Sequence, residues 1–209
     1  MRREGEPAWQ LADAGYSLSV EHGFGGVLAF GLAVRGWALV QRNKVEEGAL
    51  QLREGLSTMR QQGMEAARPW FLSALAGACA ELGQAEEGLG VIAEALQVAN
   101  KTGEHSYVAE LHRLRGELLL QRTSGQQREL KIEQQAEACY RQAIEVARHQ
   151  SDRSTELRAT TSLARLLAKQ GRRDEARAML AEIYGWFTEG FDTADLKDAK
   201  ALLDELGAN

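Results

Sequence analysis

Proline is nearly missing from this chain of 209 residues, occurring only as Pro7 and Pro69. That scarcity excludes a proline-rich linker and leaves room for long uninterrupted helices. Aromatic residues make up 6% of the chain, and cysteine occurs twice, as Cys79 and Cys139. Two cysteines are too few to staple a secreted scaffold and point to a reducing cytoplasm. Positive charge is not in excess. Against 25 basic side chains stand 30 acidic ones, and the net charge of −5 offers no general attraction to nucleic acid or anionic lipid. Long apolar runs are missing as well. The longest uncharged stretch, His22 to Val34, carries four glycines and is too short to span a bilayer. Met1 to Pro7 lead into no apolar segment, so no secretory signal is expected. No stretch alternates apolar and polar residues as a half-buried strand does. The expectation is a cytoplasmic protein with no membrane or nucleic-acid partner.

What is present is a repeat. Leu32-x-x-Arg35-Gly36-x-x-Leu39 aligns with Leu72-x-x-Leu75-Ala76-x-x-Cys79, His112-x-x-Arg115-Gly116-x-x-Leu119 and Thr160-x-x-Leu163-Ala164-x-x-Leu167. The small residues at 36, 76, 116 and 164 recur at spacings of 40, 40 and 48. A second small residue follows at Gly48, Gly88, Ala136 and Ala176, twelve positions on in three repeats and twenty in the third. The extra eight residues of the third repeat are placed in an inserted loop at about 122–131. Projected back by 40 from Gly48, the pattern gives Ala8, Ala12 and Gly15, so residues 1–22 read as the second helix of a truncated repeat.

Each unit is a helical hairpin in which small residues let two helices cross closely. Turn signals fall at Arg42-Asn43, Gly83-Gln84 and Gly171-Arg172 within hairpins, and at Gln62-Gly63 and Thr102-Gly103 between them. The boundaries are 24–63, 64–103, 104–150 and 152–190 for four repeats. A capping helix over 193–207 carries Leu196, Ala199, Leu202, Leu203 and Leu206, with Thr193 and Asp195 as its caps. The cluster Tyr184, Trp186, Phe187 and Phe191 is expected in the core beneath this cap.

The repeat resembles the tetratricopeptide repeat, most clearly in Ala136-Glu-Ala-Cys-Tyr140-Arg-Gln-Ala143. It departs from that family in its 40-residue period, against about 34, and in Arg35 and Arg115 where leucine is usual. The resemblance implies an all-α, right-handed superhelix of nine or ten antiparallel helices forming a single solenoid over 1–209. Three stretches also resemble the C-terminal tail of bacterial class III nucleotide cyclases joined to STAND-type ATPases. They are Gly116-Glu-Leu-Leu-Leu120, Glu156 to Arg165, and Tyr184 to Leu196. That likeness implies a segment of a signalling protein, without its cyclase or ATPase domains.

Chemistry is sparse. Gly31 to Gly36 has the spacing of a phosphate-binding loop but is followed by Trp37. Gly88-Leu-Gly90-Val-Ile-Ala93 fits a dinucleotide fingerprint only as a string, with no strand before it. His105 and His112 are seven apart and suit one helix face, but four zinc ligands are not at hand. No catalytic residue, metal site or cofactor is expected, and the chain is read as a non-enzyme. The tetratricopeptide resemblance instead implies a groove along the first helix of each hairpin. It maps onto Phe30, Ala33, Trp37 and Val40; Trp70, Ser73, Gly77 and Ala80; Glu110, Arg113, Glu117 and Leu120; and Arg158, Thr161, Arg165 and Ala168. Phe30, Trp37 and Trp70 are candidate anchors for apolar side chains, and Arg113, Arg158 and Arg165, with Glu117 between them, for charged groups. The leading expectation is a protein-interaction scaffold with a protein or peptide partner. Two alternatives are a sensor of small anions held by the arginines, and a self-associating module that dimerises through the N-terminal half-repeat.

Overall fold

The computed structural model describes residues 2–22, 25–122 and 126–208. Among these, ten α-helices and no strands occur. The chain divides into two compact units, Met1–Tyr107 and Val108–Asn209.

The first unit holds α1 (Arg2–His22), α2 (Gly25–Gln41), α3 (Val45–Gln61), α4 (Arg68–Glu81) and α5 (Ala85–Thr102). Each helix packs on the next, and α2 also lies against α4. The α2–α3 hairpin shows why the repeat places small residues where it does. A Cβ added at Gly36 would lie 2.7 Å from the Leu52 backbone nitrogen and 2.8 Å from the Gly48 carbonyl oxygen. One added at Gly48 would lie 2.6 Å from the Gly36 carbonyl oxygen, and one at Gly55 2.8 Å from the Ala33 nitrogen. The two backbones touch, and Leu52, Met59, Ala33 and Leu39 fill the space beside the contact. The projection onto α1 holds in part. Ala12 is buried, but Gly15 faces open space, and α1 meets α2 where Tyr16 lies against Gly31.

The second unit holds α6 (Val108–Gln121), α7 (Gln126–His149), α8 (Arg153–Lys169), α9 (Arg173–Tyr184) and α10 (Ala194–Gly207). Here α6 packs on α7 and α8, α7 on α8, α8 on α9, and α10 on both α8 and α9. The close approach takes another form: the buried ring of Tyr140 fills the place of a side chain at Gly116, where a Cβ would lie 2.5 Å from Tyr140 Cε1. Leu157, Leu163, Leu167, Leu180 and Ile183 belong to the same buried cluster. The stretch assigned to an inserted loop is helical from Gln126, and Thr123 to Gly125 lie outside the described residues. Gln126 to Gln135 contain no glycine or proline, so the inserted residues lengthen α7 to 24 residues. Glu133 holds this extension down by accepting from Lys169 Nζ and Gln170 Nε2, each at 3.0 Å.

Helix ends follow one pattern. Asn43, Gly63, Gly83, Ser151 and Gly171 all have positive φ. The next residue then donates to a carbonyl five positions back, as in Gln84 N to Cys79 O and Arg172 N to Leu167 O, both at 2.9 Å. The α8 start is capped by Asp152, whose Oδ1 accepts from Thr155 N at 3.0 Å. The α10 start is not capped by a side chain, because Thr193 Oγ1 donates backwards to Gly190 O at 2.7 Å. Leu196, Ala199, Leu202 and Leu206 are buried as expected of the last helix. The aromatic cluster departs from expectation. Tyr184 and Phe187 are half-buried, while Trp186 and Phe191 are exposed.

The glycines divide by what surrounds them. Gly36→Ala is expected to lower stability by about 2–3 kcal/mol, since backbone must move to admit the methyl group. Gly90→Ala, in α5 with open space at its Cβ, is expected to raise stability by about 0.5–1 kcal/mol through helix propensity. Urea unfolding midpoints check both signs.

Candidate functional site

In the first unit the aromatic residues meet across α2 and α4. Phe30 and Trp37 are seven apart and share one face of α2. Across from them, Trp70 and Phe71 open α4 just after Pro69. The Trp37 and Trp70 rings lie 5.8 Å apart, Trp70 and Phe71 4.5 Å, and Phe71 and Phe30 5.3 Å edge to face. Phe71 is fully buried and anchors the row, Trp37 and Trp70 are half-buried, and Phe30 is 40% exposed. The rest of the mapped face behaves differently. Ala33 and Val40 are buried at the α2–α3 crossing, and Ser73 is buried in α4, so much of what the register assigns to a groove is taken up by packing. Arg68 fixes the α4 start from beneath: it is buried, donates from Nη1 to Glu65 Oε2 at 2.7 Å, and pairs through Nη2 with Glu94 of α5.

In the second unit the corresponding helices α6 and α8 carry charge. Arg113 donates from Nη2 to Glu110 Oε1 at 2.7 Å and from Nε to Oε2 at 3.0 Å, while its Nη1 reaches Glu117. Arg158 Nε lies 3.4 Å from Glu110 Oε2 and its Nη1 3.6 Å from Asp195 Oδ2. Arg165 pairs with Asp198, and Ser162 Oγ donates to Glu117 Oε1 at 3.3 Å. Burial pushes the Glu110 carboxyl up, but Arg113 and Arg158 outweigh it and hold the group below the usual carboxylate range. Burial alone would favour a neutral Arg113; its carboxylate partners raise its pKa instead. The three candidate arginines are therefore already matched by carboxylates, and an incoming anion must displace one of them. A small cleft of about 270 Å³ remains between Glu117, Leu120, Tyr140, Ser162, Arg165 and Lys169.

Nothing in the sequence marks Asp195, expected only as a helix cap, or Asp198 as a partner of these arginines. The two aspartates reach Arg158 and Arg165 from α10, more than thirty positions along the chain. Glu110 and Glu117 are legible as the i−3 and i+4 neighbours of Arg113. Phe71 escaped notice because it stands one residue off the groove register.

Other chemistry-bearing residues are accounted for by packing. Among the described residues no group of three or more His, Cys, Asp or Glu is placed to hold a metal ion. His112 lies in α6 and His105 in the connection before it, so they do not share a helix face. Cys79 is buried and Cys139 half-buried; burial pushes both thiols up, away from the thiolate. Gly88 to Ala93 lie inside α5, and Gly88 is buried at the helix crossing. Among the described residues no helix is long and apolar enough to cross a membrane.

His112 yields a pH dependence. Burial, with Arg115 nearby, holds its pKa below the ordinary 6.5. The unfolded chain thus takes the proton first, so the site contributes fully above pH 6.5 and loses its contribution as pH falls below it. The thermal midpoint is expected to drop between pH 7.5 and 5.5, and His112→Leu is expected to flatten that slope in a scanning calorimeter.

No protein-family model matches the chain. Over 135 residues, 65% of its length, it is 30% identical to an uncharacterized protein of Rhizobium meliloti (strain 1021). The matched stretch is 12% of that protein, so the chain spans a small part of a much longer relative. Among solved structures it is similar to the crystal structure of BtubC (BKLC) from P. vanneervenii, with a TM-score of 0.68 and 15% sequence identity. That similarity covers 97% of this chain and 89% of the other. At such low identity the likeness is one of fold, and the fold is an all-α helical repeat.

Proposed function

We propose that this chain is a non-catalytic interaction scaffold of tetratricopeptide-like hairpins, binding a peptide segment through the aromatic face of α2 and α4. The observation that carries this reading is the row of Phe30, Phe71, Trp70 and Trp37, in which two indoles stay half-exposed although the apolar core is close by. Aromatic side chains of this kind dominate binding energy at many interfaces, being large, rigid and cheap to order. The much longer Rhizobium relative supports a further step in the same proposal. In it the chain is one interaction segment of a multidomain protein, and the three stretches that resemble the C-terminal tail of cyclase–ATPase proteins suggest a signalling protein as its setting.

Panning a displayed peptide library on the chain tests the face. Recovered peptides are expected to lose affinity roughly thirty-fold or more on the Trp37→Ala, Trp70→Ala double variant, about 2 kcal/mol or more. Leu50→Ala, on the exposed side of α3, should leave them unaffected. Unchanged helical circular dichroism separates lost binding from lost fold, and peptides indifferent to both tryptophans would remove the α2–α4 face.

A second reading, self-association, draws on α1. Leu11 and Leu18 are 76% and 58% exposed, with Gly15 open between them on the same helix face. Sedimentation equilibrium is expected to show a dimer that Leu11→Glu with Leu18→Glu converts to monomer; a monomer throughout would dispose of the idea.

A further inference from the structure

Residues 185–193 join α9 to α10 without helix and form one wall of a pocket of about 440 Å³ inside the second unit. Its floor is apolar, made by the buried Leu157 and Leu196 with half-buried Phe187. Trp186 stands beside it, 56% exposed, with its ring edge-on to Phe187 at 5.2 Å. Two carboxylates, Glu189 and Asp195, line it together with Ser154, Thr188, Gly190 and Thr193. Asp195 faces Arg158 at 3.6 Å, whereas Glu189 is exposed and makes no ion pair among the described residues.

An apolar floor with an acidic, aromatic rim selects for a particular shape of ligand. A carboxylate is repelled by Glu189 and Asp195. An uncharged apolar group fills the floor and leaves the unpaired Glu189 beside it with less water and no partner. A flexible alkyl stem ending in a cation satisfies both parts, because the stem covers the apolar floor while the head reaches the carboxylate. The indole is already shared with Arg153, whose guanidinium carbon lies 5.3 Å from the Trp186 ring centroid, so the charge of the head is drawn by Glu189 rather than by the ring. The surrounding segment agrees in sign, since residues 181–209 carry seven acidic and two basic side chains.

We propose that the pocket bounded by Leu157, Trp186, Phe187, Glu189 and Leu196 binds the side chain of a lysine or arginine presented by a peptide segment of a partner protein. The stem lies on Leu157, Phe187 and Leu196, and the charged head pairs with Glu189 beside the indole. This site belongs to the second unit and the α2–α4 face to the first, and neither proposal rests on the other.

The test follows the Trp186 indole N–H resonance of the full-length ¹⁵N-labelled chain, assigned by its disappearance in Trp186→Phe. The probes are two capped tripeptides, glycyl-lysyl-glycine and glycyl-norleucyl-glycine, which differ only in the ammonium group. The lysyl peptide is expected to shift the resonance saturably and to bind roughly three-fold more tightly than the norleucyl peptide, the scale of one exposed ion pair. Glu189→Gln should weaken the lysyl peptide by a similar factor and make the two probes equal, while Glu205→Gln changes neither. Absence of a saturable shift with the lysyl peptide overturns the proposal. So does equal binding of both probes to the unmodified chain, or lysyl affinity that is indifferent to Glu189→Gln.

Discussion

The contact on which the first unit depends is that of one helix backbone with another. Where Gly36 and Gly48 face each other there is no room for a methyl group on either side. At that separation side chains from both helices interdigitate around the contact, and a 40-residue repeat with few aromatics still forms a dense core. The second unit meets the same constraint differently: Gly116 leaves a gap and the Tyr140 ring fills it. Small against small and small against large are two solutions to one packing problem. The repeat permits both because it specifies only where a side chain must be missing.

Close crossing also decides which residues remain for binding. Ala33 and Val40 stand on the face that the repeat register assigns to a groove, yet the α2–α3 contact buries them. What is left on that side of the first unit is a short aromatic row, resting on buried Phe71 and steadied by Arg68 and its carboxylates. In the second unit the equivalent helices carry Arg113, Arg158 and Arg165, and each of these is met by a carboxylate from its own helix, a neighbouring helix or α10. Such a ladder holds α6, α8 and α10 in register, with its charges largely spent on one another. Unpaired character survives at the α9–α10 connection, where Trp186, Phe191 and Glu189 remain open to solvent.

Much of this was legible from residue order alone. The turns after α2, α3, α4 and α8 follow from Asn43, Gly63, Gly83 and Gly171, whose positive φ closes them. The crossings follow from the spacing of small residues, and the buried face of α10 from its leucines. The eight inserted residues extend α7 rather than forming a loop, because Gln126 to Gln135, though mostly polar, are good helix formers, and Glu133 finds its partners at the C-terminal end of α8, thirty-six and thirty-seven positions away.

The amino-acid sequence by itself determined the helices, their ends and the points where they cross, because these depend on propensity and spacing within one or two turns. Only the tertiary structure decided which surfaces are spent and which are open. Whether Arg158 and Arg165 are free depends on Asp195 and Asp198 arriving from α10, and whether Trp186 is core depends on how residues 185–193 leave α9. Both are outcomes of distant packing, and no local pattern encodes them.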